Sequence, residues 1–191
     1  MALEHAILVS LSELSGSGYE LARRFDSSIG YFWHATHQQI YRVLKRMTDD
    51  GWVTVEPVVQ VGRPDKKVYR VSPAGRMELA RWIAEPSDAE LLRNELAVKI
   101  RGASAGDADV VRAEVTRHRD AHAERLELYR LLEKQSFPVP DRLTGRDLHQ
   151  YLVLRGGIRM AEGFIDWLTE VVDALAHDRR ATGNRKATEP Q

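Results

Sequence analysis

The sequence predicts a mainly α-helical protein, in which an N-terminal winged helix-turn-helix (three helices plus a β-hairpin wing) is followed by a helical dimerisation domain. Three observations lead to this prediction. Apolar residues recur with helical period in three segments before residue 50. The period then changes to about two over residues 52–71, on both sides of a turn that contains Gly and Pro. Long helical patterns return after residue 87.

The first two helices are separated by the segment Ser-Gly-Ser-Gly at residues 15–18. Apolar residues of the first helix are spaced by four, four and three positions, at Leu3, Ile7, Leu11 and Leu14. Ser17 opens the second helix, because its hydroxyl can cap the helix while Glu20, three residues later, bonds back to it.

The third helix begins after Thr36, which forms the same capping pattern with Gln39, and ends before Gly51. With Ile40 placed on the core, Leu44 and Met47 fall within roughly 40° of it, since each residue advances the helix by about 100°. The opposite face then carries Gln38, Arg42 and Lys45, and Tyr41 and Arg46 lie on its flanks.

This polar face has the chemistry for reading DNA. Arg and Lys can bind O6 and N7 of guanine, and Gln can pair with adenine through two hydrogen bonds. The same side chains can also hold phosphates, which carry no sequence information. A lone helix with this face would more often be an ordinary solvated surface. The order of helices, the caps and the adjacent wing favour a recognition helix.

The wing is predicted from two β-branched segments that flank Gly-Arg-Pro-Asp at residues 62–65. Pro57 places the first strand at a sheet edge or marks a break in it. Basic residues cluster around the tip, where they can reach a minor groove or a phosphate or form a solvated turn; they are Arg63, Lys66 and Lys67. Ser72 followed by Pro73 then opens a fourth helix that extends through Ile83.

The C-terminal part contains two long helical patterns, at residues 107–135 and 147–177, separated by a segment with two prolines. The second pattern alternates spacings of three and four over about three heptads, which calls for partner helices. Its predicted dimerisation residues are Tyr151, Leu154, Ile158, Ile165, Leu168, Val172 and Leu175. The predicted domains are 1–84 for the winged helix, 87–177 for dimerisation and 178–191 for a disordered tail.

Composition limits the class of protein. The 191 residues have a net charge of zero, with 43% hydrophobic and 29% charged residues and no Cys. Residues 1–84 hold 11 Lys and Arg against 9 Asp and Glu, so DNA binding depends on the placement of the positive charges. No apolar run approaches the length of a membrane span. Glu4 is acidic at a position where a signal peptide has Lys or Arg. We expect a cytoplasmic protein that is no enzyme and needs no cofactor or metal.

His118 and His122 are four residues apart on the first long helix, a spacing that can hold a metal ion. No third ligand is evident, and packing or hydrogen bonding is the more common role; the pair can also make dimerisation depend on pH. Trp82 and Trp167 are candidates to line a pocket for a small aromatic or hydrophobic effector, although core packing is the more common role. The Gly-Gly pair at residues 156–157 favours close helix contact over a phosphate loop.

The chain resembles the PadR family of bacterial transcriptional regulators, in particular its longer members with a large C-terminal dimerisation domain. The resemblance lies in "GYELARRF", "YFWHATHQQIYRVLKRMTDDGWV" and "GRPDKKVYRVSPAGR", and continues in "LLRNELAVKI" and "GFIDWLTEVVDAL". It implies a homodimer that presents two winged helices to a palindromic DNA site, usually as a repressor. It also implies that Tyr19 and Tyr41 lie near the DNA backbone.

The predicted function is therefore sequence-specific DNA binding by a homodimeric transcriptional regulator, which a small effector can release. The alternative is a winged-helix protein-interaction module without DNA binding, which would be recognised by the loss of its basic face. The candidate DNA-binding residues are Tyr19, Thr36, Gln38, Gln39, Tyr41, Arg42, Lys45, Arg46, Arg63, Lys66 and Lys67.

Overall fold

The computed structural model describes residues 2–27, 35–59, 66–87 and 94–186. The chain divides into two compact units, Met1–Glu90 and Leu91–Gln191. The architecture is mainly helical with a small antiparallel sheet in the first unit, as the sequence predicts.

The first unit has the element order of a winged helix. Its helices are α1 (Ala2–Glu13), α2 (Gly18–Ser27), α3 (His37–Asp49) and α4 (Pro73–Ile83), and its strands are β1 (Gly16–Ser17), β2 (Val53–Val58) and β3 (Lys66–Val71). The predicted cap of α4 is present, since the Ser72 hydroxyl accepts a hydrogen bond from the Gly75 amide at 3.0 Å and Pro73 is the first residue of α4.

The sheet has the strand order β1–β3–β2, and both pairings are antiparallel. The sequence patterns do not predict β1, which pairs Gly16 with Tyr69 and Ser17 with Val68. Pro57 lies in β2 opposite Lys67, and β2 is an outer strand. This confirms the prediction that the proline stands in an edge strand, where a missing amide hydrogen is tolerated.

The core of the first unit is made by the apolar faces of α1, α2 and α3. Its largest fully buried side chains are Ile7, Leu8, Leu21, Phe25, Ile40, Leu44 and Met47. The apolar spacing of α1 and α3 therefore predicted the buried face, with the exception that Leu14, one residue beyond α1, is exposed.

The second unit consists of α5 (Glu95–Arg101), α6 (Ala108–Ser136) and α7 (Gly145–Lys186), with short 3₁₀ turns at Ala103–Ala105 and Pro140–Arg142. The capping pattern of Ser87 with Glu90 predicts a helix start there, whereas α5 begins at Glu95 with Asn94 as its cap. The other two helices pack along each other, and Leu96, Val115 and Leu168 form a buried cluster. A β-carbon at Gly157 would stand 3.0 Å from Tyr129, so this glycine lies in the close helix contact that the sequence predicts.

The predicted disordered tail needs a correction, because α7 does not end at residue 177 but continues to Lys186. Residues 178–186 contain Ala, Arg and Lys, which favour helix, and the first proline after them is Pro190. This segment therefore lacks the apolar pattern that predicts a packed helix, but its residues still favour the helical conformation. No helix in the described part of the chain is long and apolar enough to cross a membrane.

Candidate nucleic-acid interface

Helix α3 separates its apolar and polar faces as the sequence predicts. The side chains that face the core are Ile40, Val43, Leu44 and Met47. The opposite face carries Gln38, Arg42 and Lys45, and all three are exposed. Among the residues that the structure describes, no acidic side chain forms an ion pair with Arg42 or Lys45. Both cations are therefore available to an external anion.

The N-terminus of α3 is closed by a complete capping box. The Thr36 hydroxyl accepts a hydrogen bond from the Gln39 amide at 3.3 Å, and Gln39 Oε1 accepts one from the Thr36 amide at 2.8 Å. This box fixes where the helix begins and occupies the Gln39 carbonyl oxygen. Thr36 and Gln39 thus shape the interface, whereas Gln38 keeps its amide group for other contacts.

Tyr41 joins three elements at one edge of the candidate interface. Its ring lies against Gly18 at the start of α2, so closely that a β-carbon there would stand 2.4 Å from Tyr41 Cε1. Burial raises the pKa of Tyr69 on β3, and the proximity of Tyr41 raises it further. Tyr19, the next residue on α2, is exposed. The two tyrosines that the resemblance singles out therefore stand at adjacent exposed positions.

The loop end of the wing hairpin carries two lysines with different surroundings. Lys66 Nζ lies 2.7 Å from Glu20 Oε1 on α2. Lys67 is exposed, and no acidic side chain in the described segments forms an ion pair with it. Arg63, the third predicted cation of the wing, lies outside the described residues.

Glu20 is a residue whose long-range role the sequence patterns miss. Its Oε2 accepts hydrogen bonds from the Ser17 amide at 2.7 Å and the Ser17 hydroxyl at 3.0 Å. The hydrogen bond from Lys66 and then that from the Ser17 amide lower the pKa of Glu20 to about 2. The capping pattern signalled the contact with Ser17, but no local pattern reports a partner on β3.

Arg46 has a different role from the one that the sequence analysis gave it. Its guanidinium donates a hydrogen bond to Glu4, which is buried on α1. A buried carboxylate needs such a partner, because an unpaired buried charge is strongly unfavourable. We therefore move Arg46 from the candidate DNA contacts to the contact that joins α1 and α3.

The predicted dimerisation residues fall into two groups in the structure. Ile158 and Leu168 are buried within a single chain, and Leu168 belongs to the cluster with Val115 of α6. The others are half-buried: Tyr151, Leu154, Ile165, Val172 and Leu175. Part of the apolar seam therefore joins α7 to α6 of its own chain, and only the half-buried part has surface left for a second subunit.

Neither tryptophan that was considered for an effector pocket stands free. Trp82 stacks on His5, with ring centroids 4.4 Å apart and planes inclined by 7°. Trp167 packs against the buried cluster of the second unit and lies 6.1 Å from the Phe164 ring. Both are partly exposed. The two residues belong to different compact units.

The two histidines on α6 have separate partners. His118 Nε2 lies 3.2 Å from Glu114 Oε1, and the His122 ring stacks on Phe164 with centroids 4.7 Å apart. Burial lowers the pKa of His122, and the nearby Arg125 and His118 lower it further. Within the described ranges, no group of three or more His, Asp or Glu side chains is arranged to hold a metal ion.

Two family models match the chain. Residues 7–81 match the transcriptional regulator PadR-like family, and residues 92–176 match the virulence activator alpha C-terminal family. A probable transcriptional regulator of Mycobacterium tuberculosis is 54% identical over 189 residues, which cover 94% of this chain and 100% of the relative. The chain belongs to the PadR-like family of transcriptional regulators.

Solved structures of PadR-like regulators share the fold over almost the whole chain. Bacillus subtilis PadR in complex with operator DNA has a TM-score of 0.80 and 25% identity, covering 92% of this chain and 99% of that chain. The same protein in complex with p-coumaric acid has a TM-score of 0.74 and 24% identity, covering 92% and 96%. The Vibrio cholerae virulence activator AphA has a TM-score of 0.76 and 30% identity, covering 92% and 98%.

Membership of the PadR-like family agrees with the predicted fold and with the prediction of a DNA-binding transcriptional regulator. It also agrees with the longer subclass, because the match to the C-terminal family spans the second unit. The relatives named here are regulators of transcription.

Proposed function

We propose that the protein is a homodimeric repressor that recognises a palindromic operator and releases it when a small effector binds. Helix α3 enters the major groove, and two cations of the wing contact the flanking phosphates: Lys67, which is exposed, and Arg63, which lies outside the described residues. A regulator of this kind acts on chromosomal DNA, which supports the predicted cytoplasmic location.

The observation that carries the proposal is the exposed face of α3. Arg42 and Lys45 have no acidic partner in the described part of the chain, whereas Arg46 is turned to Glu4. Arg42 and Lys45 can bind guanine through O6 and N7, and Gln38 can bind adenine. A cationic face of this kind supports base reading by α3, since no acidic side chain that the structure describes neutralises these cations.

The second unit supports a dimer. Besides the half-buried seam, several large apolar side chains on α6 and α7 are exposed in the single chain: Leu128, Leu131, Leu152, Val153 and Met160. A two-fold dimer matches a palindromic site when its recognition helices are about 34 Å apart, one turn of DNA. We propose that this unit provides that spacing and that an effector acts by favouring a dimer with a different spacing.

An aromatic effector is supported by the complex of Bacillus subtilis PadR with p-coumaric acid. In this chain the partly exposed aromatic residues of the second unit include Phe164 and Trp167, whose rings are 6.1 Å apart. A planar ligand could stack on such rings. We propose Trp167 as a candidate effector contact, and Trp82 as a candidate on the first unit.

The proposal is tested with purified protein and the DNA duplex upstream of its own coding sequence. Fluorescence anisotropy against this duplex and a scrambled duplex of equal length, over a salt series, separates specific from non-specific binding. We expect specific binding near about 10⁻⁸ M at physiological salt. A folded dimer that binds neither duplex at any salt concentration would favour the alternative of a protein-interaction module.

Two variants assign the contacts. We expect Arg42→Ala to cost about 1–3 kcal/mol of operator affinity and to reduce discrimination against the scrambled duplex. Arg63→Ala is expected to weaken mainly the salt-dependent part of the affinity. The slope of log K against log salt should flatten by about 0.9 for each phosphate contact that is lost. Arg101→Ala, which removes an exposed arginine from α5, serves as the control. Equal affinities of Arg42→Ala, Arg63→Ala and wild type across the titration would refute these assignments.

A further inference from the structure

The contact between Glu20 and Lys66 connects the N-terminus of α2 with the first residue of β3, which lies at the loop end of the wing hairpin. Glu20 Oε1 lies 2.7 Å from Lys66 Nζ, while its other oxygen is held by the amide and the hydroxyl of Ser17. The carboxylate is therefore fixed from two sides. It stands at the same end of α2 as the exposed Tyr19 and as Gly18, against which Tyr41 packs.

The carboxylate gives Lys66 the kind of partner that a DNA phosphate would give it. An ammonium group bonded to an anionic oxygen at 2.7 Å has the geometry of a charge-assisted hydrogen bond. Lys67, its neighbour in sequence, has no such partner among the described residues and is exposed. Two adjacent lysines at the loop end of the wing hairpin thus differ in whether a described protein carboxylate already neutralises them.

We propose that Glu20 acts as a built-in counter-ion, which withholds Lys66 from the DNA phosphates and thereby limits the affinity of the regulator for DNA. The inference rests on the proposed function, and it makes Glu20 a residue that sets affinity without contacting a base. A protein gains salt-dependent affinity for each phosphate that it neutralises. Lys66 adds nothing to that gain while Glu20 neutralises it, because the pair has no net charge.

The substitution Glu20→Gln separates this role from the role of Glu20 in the helix cap. Glutamine can accept the hydrogen bond from the Ser17 amide in the same way, since capping boxes use Glu and Gln alike. It carries no charge, so Lys66 becomes available to a phosphate. The variant therefore keeps the start of α2 while it removes the counter-ion.

The experiment measures the salt dependence of affinity for the duplex upstream of the coding sequence. Full-length wild type is compared with Glu20→Gln, Lys66→Met and the double variant. We expect Glu20→Gln to steepen the slope of log K against log salt by about 0.9 per subunit. Between about 50 and 200 mM salt this is about a threefold larger loss of affinity per subunit. The double variant should match Lys66→Met, whose slope should equal that of wild type.

Two control variants make the comparison specific. Lys67→Met should flatten the slope by about 0.9 per subunit, since no carboxylate among the described residues neutralises Lys67. Asp49→Asn removes an exposed negative charge at the C-terminal end of α3. This substitution should leave the slope unchanged.

The inference is overturned if Glu20→Gln has the slope of wild type. It is also overturned if Glu20→Gln still steepens the slope when residue 66 is methionine, because the effect would then come from a general loss of negative charge. A flattened slope in Lys66→Met also overturns it. These outcomes leave the proposed function standing, provided that wild type binds. Absence of DNA binding by folded wild type refutes the proposed function and the inference with it.

Discussion

The ring of Tyr41 on α3 covers Gly18 at the first position of α2, and a β-carbon at residue 18 would stand 2.4 Å from Tyr41 Cε1. Only a residue without a side chain allows this contact. The glycine therefore determines where the Tyr41 ring lies, and it links the start of one helix to the exposed face of the next.

Gly18→Ala is expected to displace the Tyr41 ring and leave the fold intact, because that ring is half-exposed and can rotate into solvent. We expect about fivefold weaker operator binding, equivalent to roughly 1 kcal/mol for a side chain forced from its rotamer. Anisotropy measures the affinity, and thermal unfolding checks the fold. In a Tyr41→Ala background the same substitution should cost nothing more; an additional loss would contradict this explanation.

Gly75→Ala should destabilise the first unit, since an added β-carbon would stand 2.1 Å from the Trp52 carbonyl oxygen. That oxygen belongs to the backbone and accepts a hydrogen bond from the Ser72 amide at 3.0 Å, so it cannot move aside cheaply. We expect a loss of about 1–3 kcal/mol in the free energy of unfolding, measured in urea. Gly106→Ala is the control, because no atom of the described residues lies within 4 Å of its β-carbon position and its backbone is extended.

Leu168→Ala should lower the stability of the second unit even in a monomer. Only 1% of the residue's surface is exposed, and the residue packs against Val115 and Leu96. A cavity at such a position costs about 2–5 kcal/mol. Leu152→Ala, on the same helix but 56% exposed, should leave monomer stability almost unchanged. Equal losses for both variants in urea unfolding, at a concentration where the protein is monomeric, would disprove the distinction between core and surface.

Glu78 should contribute stability that is lost in acid. The hydrogen bonds from Arg81, and then the contact with His5 at 2.9 Å, lower the pKa of Glu78 to about 2. The pKa of the folded state is thus below that of the unfolded state, near 4.5. Its contribution is present above about pH 4.5 and disappears as the pH falls towards 2. The difference in unfolding free energy between wild type and Glu78→Gln should therefore shrink from pH 5.5 to pH 3.

If the difference in unfolding free energy between wild type and Glu78→Gln is the same at both pH values, the carboxylate charge of Glu78 is not what holds α4 to α1. Urea titrations at both pH values, followed by tryptophan fluorescence, provide the measurement. Trp82 is a suitable reporter because it stacks on His5 at the same contact.

His122 should make the second unit less stable below neutral pH. Its pKa is lowered, first by burial and then by Arg125 and His118, so the folded state favours the neutral ring. Stability is then complete above the unfolded pKa, about 6.5, and falls as the pH drops below it. His122→Phe keeps an aromatic ring to stack on Phe164 and should remove this dependence between pH 7.5 and 5.5. His149→Gln, at an exposed position on α7, is the control.

The parts of the fold that the sequence predicted are those fixed by neighbouring residues. Helix α3 illustrates this, since its buried face follows from spacing alone and its start follows from the pair Thr36–Gln39. Strand β1 illustrates the opposite case. Its two residues adopt a strand because β3, about fifty positions later in the chain, pairs with them, and no period exists in two residues.

In the candidate site, too, the sequence predicted only what neighbouring residues determine. Spacing placed Arg42 and Lys45 on the exposed face, where the structure has them. It could not distinguish them from Arg46, because the partner of Arg46 is 42 positions away on α1. The seam of α7 was limited in the same way, since a heptad pattern requires an apolar partner but does not say whether that partner is in the same chain.

The sheet of the first unit gives little opportunity for strand addition from another molecule. One of its outer strands is only two residues long, and the other contains a proline that lacks a backbone donor. Regulators that gather on one stretch of DNA bring their wings to high local concentration, where an open sheet edge would invite aggregation. With both edges blunted, neighbouring copies of the wing have little unpaired backbone through which their sheets could join.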